Sequence, residues 1–512
     1  MADKTKFIEE LNAKYQPKGE YIVLGKGMLD GEVITEVDVN IPLKTINRHG
    51  LIAGATGTGK TKTLQVFVEQ LSHKGIPTLV MDIKGDLSGI AVEGEQNDKI
   101  NERYAKTKLP YQPQSFPVEL MTISAEKGLK LRATVTEFGP VLLSKILGLN
   151  DTQSSIMSIV FKYADDKGLP LIDLDDLKKT LQYVTDNDEG KKELASNYGA
   201  ISPASLGAIL RSIVALEQQG ATSFFGEPSF DVEDLLQTRG GKGVVNVLRV
   251  ADIQNQPQLF STFMLSLFAE IYMTFPEEGD SGKPKLVLFI DEAHLIFNET
   301  SKALLSQIET MVKLIRSKGV GIYFITQIPG DVPENVLAQL GLKIQHALRG
   351  FTAKDRKEID KAVENYPITE YYDAGNLIQN LGIGEAFVTA LDEKGIPTPL
   401  VQTYLISPES RMDVLSSDEI DDLVNASDLA EKYNKEIDKE SAYEILTKRM
   451  ETAAAAAEQE VKQEKSTARQ PKEEPGMFEQ VLKSRAGRTF TNTLAREGAK
   501  FVLGMFGLKM RR

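Results

Sequence analysis

The stretch that most restricts the fold of this chain is Gly54-Ala55-Thr56-Gly57-Thr58-Gly59-Lys60-Thr61, which follows the apolar run Leu51-Ile52-Ala53. It fits G-x-x-x-x-G-K-[ST], the pattern of a phosphate-binding loop. A buried strand must deliver the chain to a tight turn there. Glycines let backbone N–H groups close around phosphate oxygens without an obstructing Cβ. The helix expected from about Lys60 to Lys74 points its N-terminus, with its partial positive charge, at the phosphates. Gly54, Ala55, Thr56, Gly57, Thr58, Gly59, Lys60, Thr61 and Lys62 are then the nucleotide-binding residues. Lys60 reaches the β- and γ-phosphates, and the Thr61 hydroxyl ligates Mg²⁺. A glycine-rich turn matching by chance is the competing reading. The strand-like run before the loop and the amphipathic helix after it weigh against that.

A partner motif lies far downstream. Leu286-Val287-Leu288-Phe289-Ile290-Asp291-Glu292 is a buried apolar run ending in two acids. In an open α/β sheet such acids project at the carboxyl edge, where ligands bind. Asp291 would hold Mg²⁺ or one of its waters, and Glu292 would orient and deprotonate the attacking water. A buried strand ending in solvated acids is the alternative, and pairing with the phosphate loop disfavours it. Gln327 ends the next strand, Gly321-Ile322-Tyr323-Phe324-Ile325-Thr326. It either senses the γ-phosphate or its water, or is a polar strand cap. Arg316 and Arg349 lie near strand ends. Each is either a surface or ion-pair arginine or a finger that stabilises γ-phosphate charge in a neighbouring subunit. Asp82, Lys84 and Asp86 follow the second strand and are candidates for Mg²⁺ binding or for relaying nucleotide state. The chain contains no Asn-Lys-x-Asp guanine-reading tetrad, so ATP is the expected nucleotide, and Glu292 directly after Asp291 favours hydrolysis.

Length and composition set outer bounds. At 512 residues with 41% hydrophobic and 26% charged residues, the chain can bury a large core and divide into two to four domains. The absence of cysteine excludes disulfides and thiolate metal sites. His49, His73, His294 and His346 are scattered without metal-ligand spacing, which makes each a structural or surface residue. The N-terminus lacks an apolar signal region, and the longest apolar stretch, 259–275, contains Ser261, Thr262, Ser266 and Glu270. It reads as a core helix rather than a membrane span. The expectation is a cytoplasmic protein with no transmembrane segment.

The order of elements predicts an α/β fold. Residues 1–20 read as a helix and linker, and the glycine-punctuated stretch 21–46 as short strands. Strand, loop-helix and strand Thr78 to Asp82 form a βαβ unit and imply a mainly parallel sheet. Further strands are expected at Val118 to Ile123, Val244 to Leu248, Lys285 to Ile290, Val320 to Thr326 and Lys343 to Leu348. A closing pair is expected at Glu385 to Leu391 and Leu400 to Leu405. Helical periodicity dominates from 126 to 240, which reads as a helical subdomain inserted between core segments 21–125 and 241–406. Residues 407–475 read as a charged helical or disordered linker, and 476–512 as a basic amphipathic tail.

These residues resemble the HerA/FtsK group of P-loop ATPases, and more narrowly the bacterial HerA-like helicase-domain proteins of the YjgR type. The resemblance is carried by LIAGATGTGKTKTLQ (51–65), MDIKGDLSGIA (81–91), TEFGPVLLSKILGLNDTQ (136–153), FFGEPSFDVEDLL (224–236), KPKLVLFIDEAHLIF (283–297), VKLIRSKGVGIYFITQ (312–327), VLAQLGLKIQHALRGFTAKD (336–355) and LGIGEAFVTALDEKGIP (381–397). It spans roughly residues 20 to 410. It implies a RecA-like P-loop NTPase core, a hexameric ring with ATP between subunits, and DNA translocation. By position, Lys60, Thr61, Asp291, Glu292 and Gln327 keep the roles above, and Arg316 becomes the better finger candidate with Arg349 second. Three departures stand out. Only about 50 residues precede the loop, which is expected to leave no room for the N-terminal β-barrel of archaeal HerA. Ile328 follows Gln327 where the family pattern has Asn, and Leu342-Lys343 stands where it has Asn-Arg.

The net charge of −13 argues against a uniformly basic nucleic-acid binder. Residues 476–512, however, carry eight basic residues against two acids, interleaved with Phe478, Phe490, Phe501 and Phe506. That tail could contact phosphates, lie on a membrane surface, or dock on the protein's own core or a neighbour. Two functions stay open: an oligomeric ATPase motor on DNA, and an ATP-dependent switch that gates assembly of an unidentified protein partner.

Overall fold

The computed structural model describes residues 3–467 except 255, 280, 299–301, 436 and 438–439. The basic tail lies outside the described residues, and so do all three readings of it. The chain divides into two units, one built from 1–131 with 230–435 and the other from 132–229 with 436–512.

The first unit is organised by one sheet. Its strands in chain order are β1 Tyr21–Leu29, β2 Glu32–Pro42, β3 Gly50–Ala53, β4 Thr78–Asp82, β5 Val118–Thr122 and β6 Leu129–Lys130. After the small ribbon of β7 Thr238–Arg239 and β8 Lys242–Gly243 come β9 Val245–Arg249, β10 Leu286–Ile290, β11 Val320–Thr326, β12 Leu342–Gln345, β13 Glu385–Thr389 and β14 Val401–Leu405. Twelve of them pair in the order β2-β1-β14-β13-β12-β3-β11-β10-β4-β9-β5-β6. From β12 to β6 every pairing is parallel, and from β12 out to β2 every pairing is antiparallel. The central strands β3, β4, β10 and β11 are buried along their whole length, as parallel strands covered on both faces must be. The expected α/β fold with a mainly parallel sheet is the observed one.

Residues 21–46 depart from the expectation of several short strands. Residues 21–42 form one long hairpin, β1–β2, which extends the sheet beyond β14, and Leu43–Arg48 form a 3-10 turn of helix. The glycines do not break β1, because they admit close neighbours. A Cβ on Gly25 would lie 2.1 Å from the Tyr404 carbonyl oxygen, and one on Gly27 would lie 2.8 Å from Val37. Register shifts at Val23/Gly25 and Lys26/Met28 absorb the irregularity as bulges. At the N-terminus a helix and a short connection, residues 16–20, precede β1. Helix α1 (Lys4–Tyr15), capped by Asp3, buries Phe7, Leu11 and Tyr15, and the Tyr15 hydroxyl donates to the Pro399 carbonyl at 2.7 Å.

Helix α2 (Lys60–His73) packs on the sheet through Phe67, whose ring meets Phe289 of β10 at 5.5 Å and Tyr323 of β11 at 4.9 Å. Its other face is polar yet also buried, because residues 409–412 run along it. Lys62 donates to the Met412 carbonyl at 2.5 Å, Gln65 donates to Ser410 Oγ at 2.8 Å, and Glu69 accepts the Glu409 N–H at 2.8 Å. This strap also needs Gly89 and Gly94, where a Cβ would lie 2.0 Å from the Asp413 carbonyl oxygen and 2.6 Å from that of Glu409. Residues 407–435 are therefore no linker: Leu415 and Ile420 join the main core. Composition hid this because the strap is held through its backbone.

The second unit is helical: α4 (Val135–Ile146), α5 (Asp151–Lys167), α6 (Leu174–Asp186), α7 (Asp188–Tyr198) and α8 (Pro203–Glu217), with α3 (Asp98–Thr107) belonging to the first unit. Capping boxes at Thr134, Asn150 and Asp173 start α4, α5 and α6, each satisfying two end N–H groups. The helix over Ala442–Thr467 packs on α6, and Asp176 accepts the Tyr443 N–H at 2.7 Å. Residues 230–240 belong to the first unit rather than to the helical one. Among the described residues no single helix is long and apolar enough to cross a membrane.

Candidate active site

The phosphate loop leaves β3 at the carboxyl edge of the sheet and is stitched to both neighbouring strands. The Gly54 N–H donates to the Thr326 carbonyl (3.2 Å), the Ala55 N–H to that of Ala347 (2.8 Å), and the His346 N–H to that of Ala53 (2.7 Å). Gly54 has φ +156°, and a Cβ there would lie 2.5 Å from that of His346. Gly57 and Gly59 have φ of +78° and +113°, conformations that glycine reaches without steric cost. Thr58 closes the turn by donating to the Ala55 carbonyl at 2.7 Å. Gly59 caps α2, so the free N–H groups of the first helical turn face the loop.

Lys60 is buried, and its Nζ donates to the loop carbonyls of Gly54 (2.5 Å) and Ala55 (3.2 Å). Burial lowers its pKa, the positive charge of Lys84 lowers it further, and Glu292 and Asp291 oppose both. The loop lysine and the two acids thus share one electrostatic neighbourhood. Thr61, half-buried, follows at the second helical position.

The acids end β10 as expected. Asp291 and Glu292 are 3% and 8% exposed. Glu292 adopts φ +46°, which is rare for a residue with a side chain and recurs at functional sites. Its N–H donates to Asp291 Oδ1 at 2.9 Å, and the Ala293 N–H donates to the Ile325 carbonyl of β11 at 2.9 Å. Lys84 Nζ lies 2.6 Å from Glu292 Oε1 and 3.7 Å from Asp291 Oδ2, and His294 Nδ1 lies 3.1 Å from Glu292 Oε2. Burial pushes the Asp291 pKa up to about 6, against the pull of Lys84. Asp82 is buried and accepts the N–H groups of Gly85 (2.7 Å), Asp86 (3.1 Å) and Leu87 (3.1 Å). It shapes the turn that carries Lys84.

Among the described residues no group of three or more His, Cys, Asp or Glu could hold a metal ion. The arrangement suits a divalent ion held by one carboxylate, one hydroxyl and the phosphates of a nucleotide, as Mg²⁺ commonly is. Asp291 and Thr61 are hard oxygen donors of the required kind.

Gln327 is exposed at the end of β11, one residue past Thr326, which is in register with Ala53. The two arginines separate. Arg349 is exposed on the loop's own edge, two residues past Ala347, and donates to the Gln379 carbonyl. Arg316 is exposed just before β11, at the amino edge. The seven residues of β11 put it roughly 20 Å from its own phosphate loop.

Two histidines set aside as structural lie at the site. His294 faces Glu292, and His346, buried with its pKa pushed down to about 3, packs on Gly54 and meets Thr63 Oγ1 at 3.0 Å. His49 is structural: its Nε2 donates to the Val312 carbonyl at 2.8 Å. Arg103 of α3 was missed. It donates to the carbonyls of Leu405 (2.7 Å) and Gly384 (3.2 Å) and stacks on Tyr404 at 4.2 Å, while the Gly384 N–H donates to the Thr58 carbonyl of the loop at 3.3 Å. No sequence spacing links Arg103 to the loop; the sheet brings them together.

Known proteins resemble the chain at two levels. The DNA double-strand break repair helicase HerA of Saccharolobus solfataricus is 22% identical over 385 residues, covering 74% of this chain and 68% of that protein. Among solved structures, the plasmid coupling protein TrwB with the GTP analogue GDPNP is 14% identical with a TM-score of 0.50, covering 78% of this chain and 100% of that one. VirB4 of Thermoanaerobacter pseudethanolicus is 16% identical with a TM-score of 0.45, covering 76% and 96%. The family described as "Helicase HerA-like C-terminal" matches residues 29–508. With its phosphate loop and acid pair at the carboxyl edge of a RecA-like sheet, the chain belongs to the HerA-like family of P-loop ATPases.

Proposed function

We propose that this chain binds ATP with Mg²⁺ at the carboxyl edge of its sheet, hydrolyses it, and works as a ring-forming motor on DNA. The observation that carries the reading is the nearness of Lys60, on the loop and helix that follow β3, to Asp291 and Glu292 at the end of β10, with only β11 between the two strands. Gly54 to Lys62 hold the phosphates through loop and helix N–H groups. Lys60 exchanges its loop carbonyls for phosphate oxygens, a short swing for a flexible side chain. Thr61 and Asp291 hold the metal ion, which when bound neutralises phosphate charge. Glu292 takes a proton from the attacking water, and Gln327 senses the γ-phosphate from the adjacent strand end.

Arg316 supports the oligomeric part. Its place at the opposite edge keeps it from its own nucleotide, so as a finger it serves the neighbouring subunit's site. Arg349, on the loop's own edge, is the second candidate. The DNA part rests on the HerA relative, described as a DNA repair helicase. The formal charge of −13 favours a second reading, a slow ATP-dependent switch that gates assembly of a protein partner. Steady-state turnover with single- and double-stranded DNA at two salt concentrations separates them. About tenfold stimulation, suppressed by salt, fits the motor. Slow turnover indifferent to DNA fits the switch.

A further inference from the structure

Between the phosphate loop and the acid pair the structure holds two lysines, and they serve different partners. Lys60 is bonded to the loop carbonyls. The cation on the acids is Lys84, 2.6 Å from Glu292 and 3.7 Å from Asp291. Its backbone is fixed, because the Asp82 carboxylate accepts three N–H groups from residues 85–87 and Gly85 turns the chain at φ +75°. Its side chain is 37% exposed, so the ammonium has a way out into solvent.

We propose that Lys84 is a tethered counter-ion of the Asp291–Glu292 pair that competes with the divalent cation of the bound nucleotide. The inference rests on the nucleotide reading above and adds a positioning residue to it. An ammonium and a hard divalent cation seek the same oxygens, and both cannot sit in full charge contact with one carboxylate. Lys84 must give up Asp291 for that carboxylate to accept a metal ion or a metal-bound water. Its bond to Glu292 can persist, and it holds a carboxylate that the left-handed backbone already constrains. Lys84 therefore costs metal affinity while keeping two buried like charges tolerable beside each other.

The test is calorimetric ADP binding by the full chain, with Mg²⁺ and with EDTA, for wild type, Lys84→Met and Lys84→Arg. Lys84→Met keeps the aliphatic stem and removes the charge. Its ADP affinity in Mg²⁺ is expected to rise about fivefold, with no rise in EDTA. Lys84→Arg keeps the charge and is expected to show no rise in either condition. The proposal is overturned if Lys84→Met binds ADP no tighter in Mg²⁺, if it tightens equally in EDTA, if Lys84→Arg tightens as Met does, or if Lys84→Met loses ADP binding altogether. Failure of wild type to bind ADP in both conditions would instead refute the nucleotide site itself.

Discussion

Glu69 of the loop helix gives a quantitative test of how the strap is held. Its side chain accepts the N–H groups of Glu409 (2.8 Å) and Ser410 (3.1 Å) as well as the Ser410 hydroxyl. Burial raises its pKa from 4.5 to about 7, with those donors pulling the other way. An acid whose folded pKa is raised stabilises the fold in full below its unfolded value and loses that contribution as pH climbs through the folded one. The shift corresponds to roughly 3 kcal/mol. Hydrogen exchange of a peptide covering 407–415, corrected for intrinsic rates, is therefore expected to quicken by up to about 100-fold from pH 5 to pH 8. Glu69→Gln fixes the neutral form and should flatten this dependence. Glu69→Ala strips two backbone N–H groups of their acceptor at about 1–3 kcal/mol each, so exchange should already be fast, by about thirtyfold or more, at pH 5. Wild-type protection constant across that range, or an equal slope in Glu69→Gln, would refute the reasoning.

Gly54→Ala forces a Cβ to within 2.5 Å of His346. It should cost about 2 kcal/mol or more and abolish nucleotide binding, checked by thermal denaturation and ATP filter binding. Glu292→Gln should retain ATP while its hydrolysis falls by about 10²–10⁴-fold; normal turnover by this variant would remove Glu292 from the base role. Arg316→Ala should bind ATP and lose about 10³-fold in turnover. Mixing it with an inactive Lys60→Ala chain should restore part of the activity at interfaces pairing an intact loop with an intact Arg316. No recovery on mixing would refute action between subunits.

Where the two motifs of the candidate site fall in the fold was legible in the sequence because each motif is local. Residues 50–61 and 286–292 each carry a strand, a turn and the candidate side chains within a few positions, so neighbouring residues alone define them. Lys84 stood out with Asp82 and Asp86 as a candidate for Mg²⁺ binding or for relaying nucleotide state, but its partners were not legible; the turn that Asp82 builds brings it to acids about 200 positions away. His346 and Arg103 were illegible for the same reason, since parallel strands bring distant segments to one edge without leaving a spacing to read. The hairpin β1–β2 was mistaken for short strands because its glycines signal breaks, whereas in the sheet they admit Tyr404 and Val37. The strap at 409–412 escaped because backbone carbonyls hold it to Lys62 and Gln65, and backbone bonding leaves no trace in composition.

The most direct test of the central claim is single-turnover hydrolysis of ATP in Mg²⁺ by wild type beside Lys60→Ala, with both folds checked by circular dichroism. Lys60 sits where loop, helix and acid pair converge, so wild type should release phosphate and the variant should stay at background. Equal phosphate release by the two proteins would place the reaction elsewhere and contradict the account.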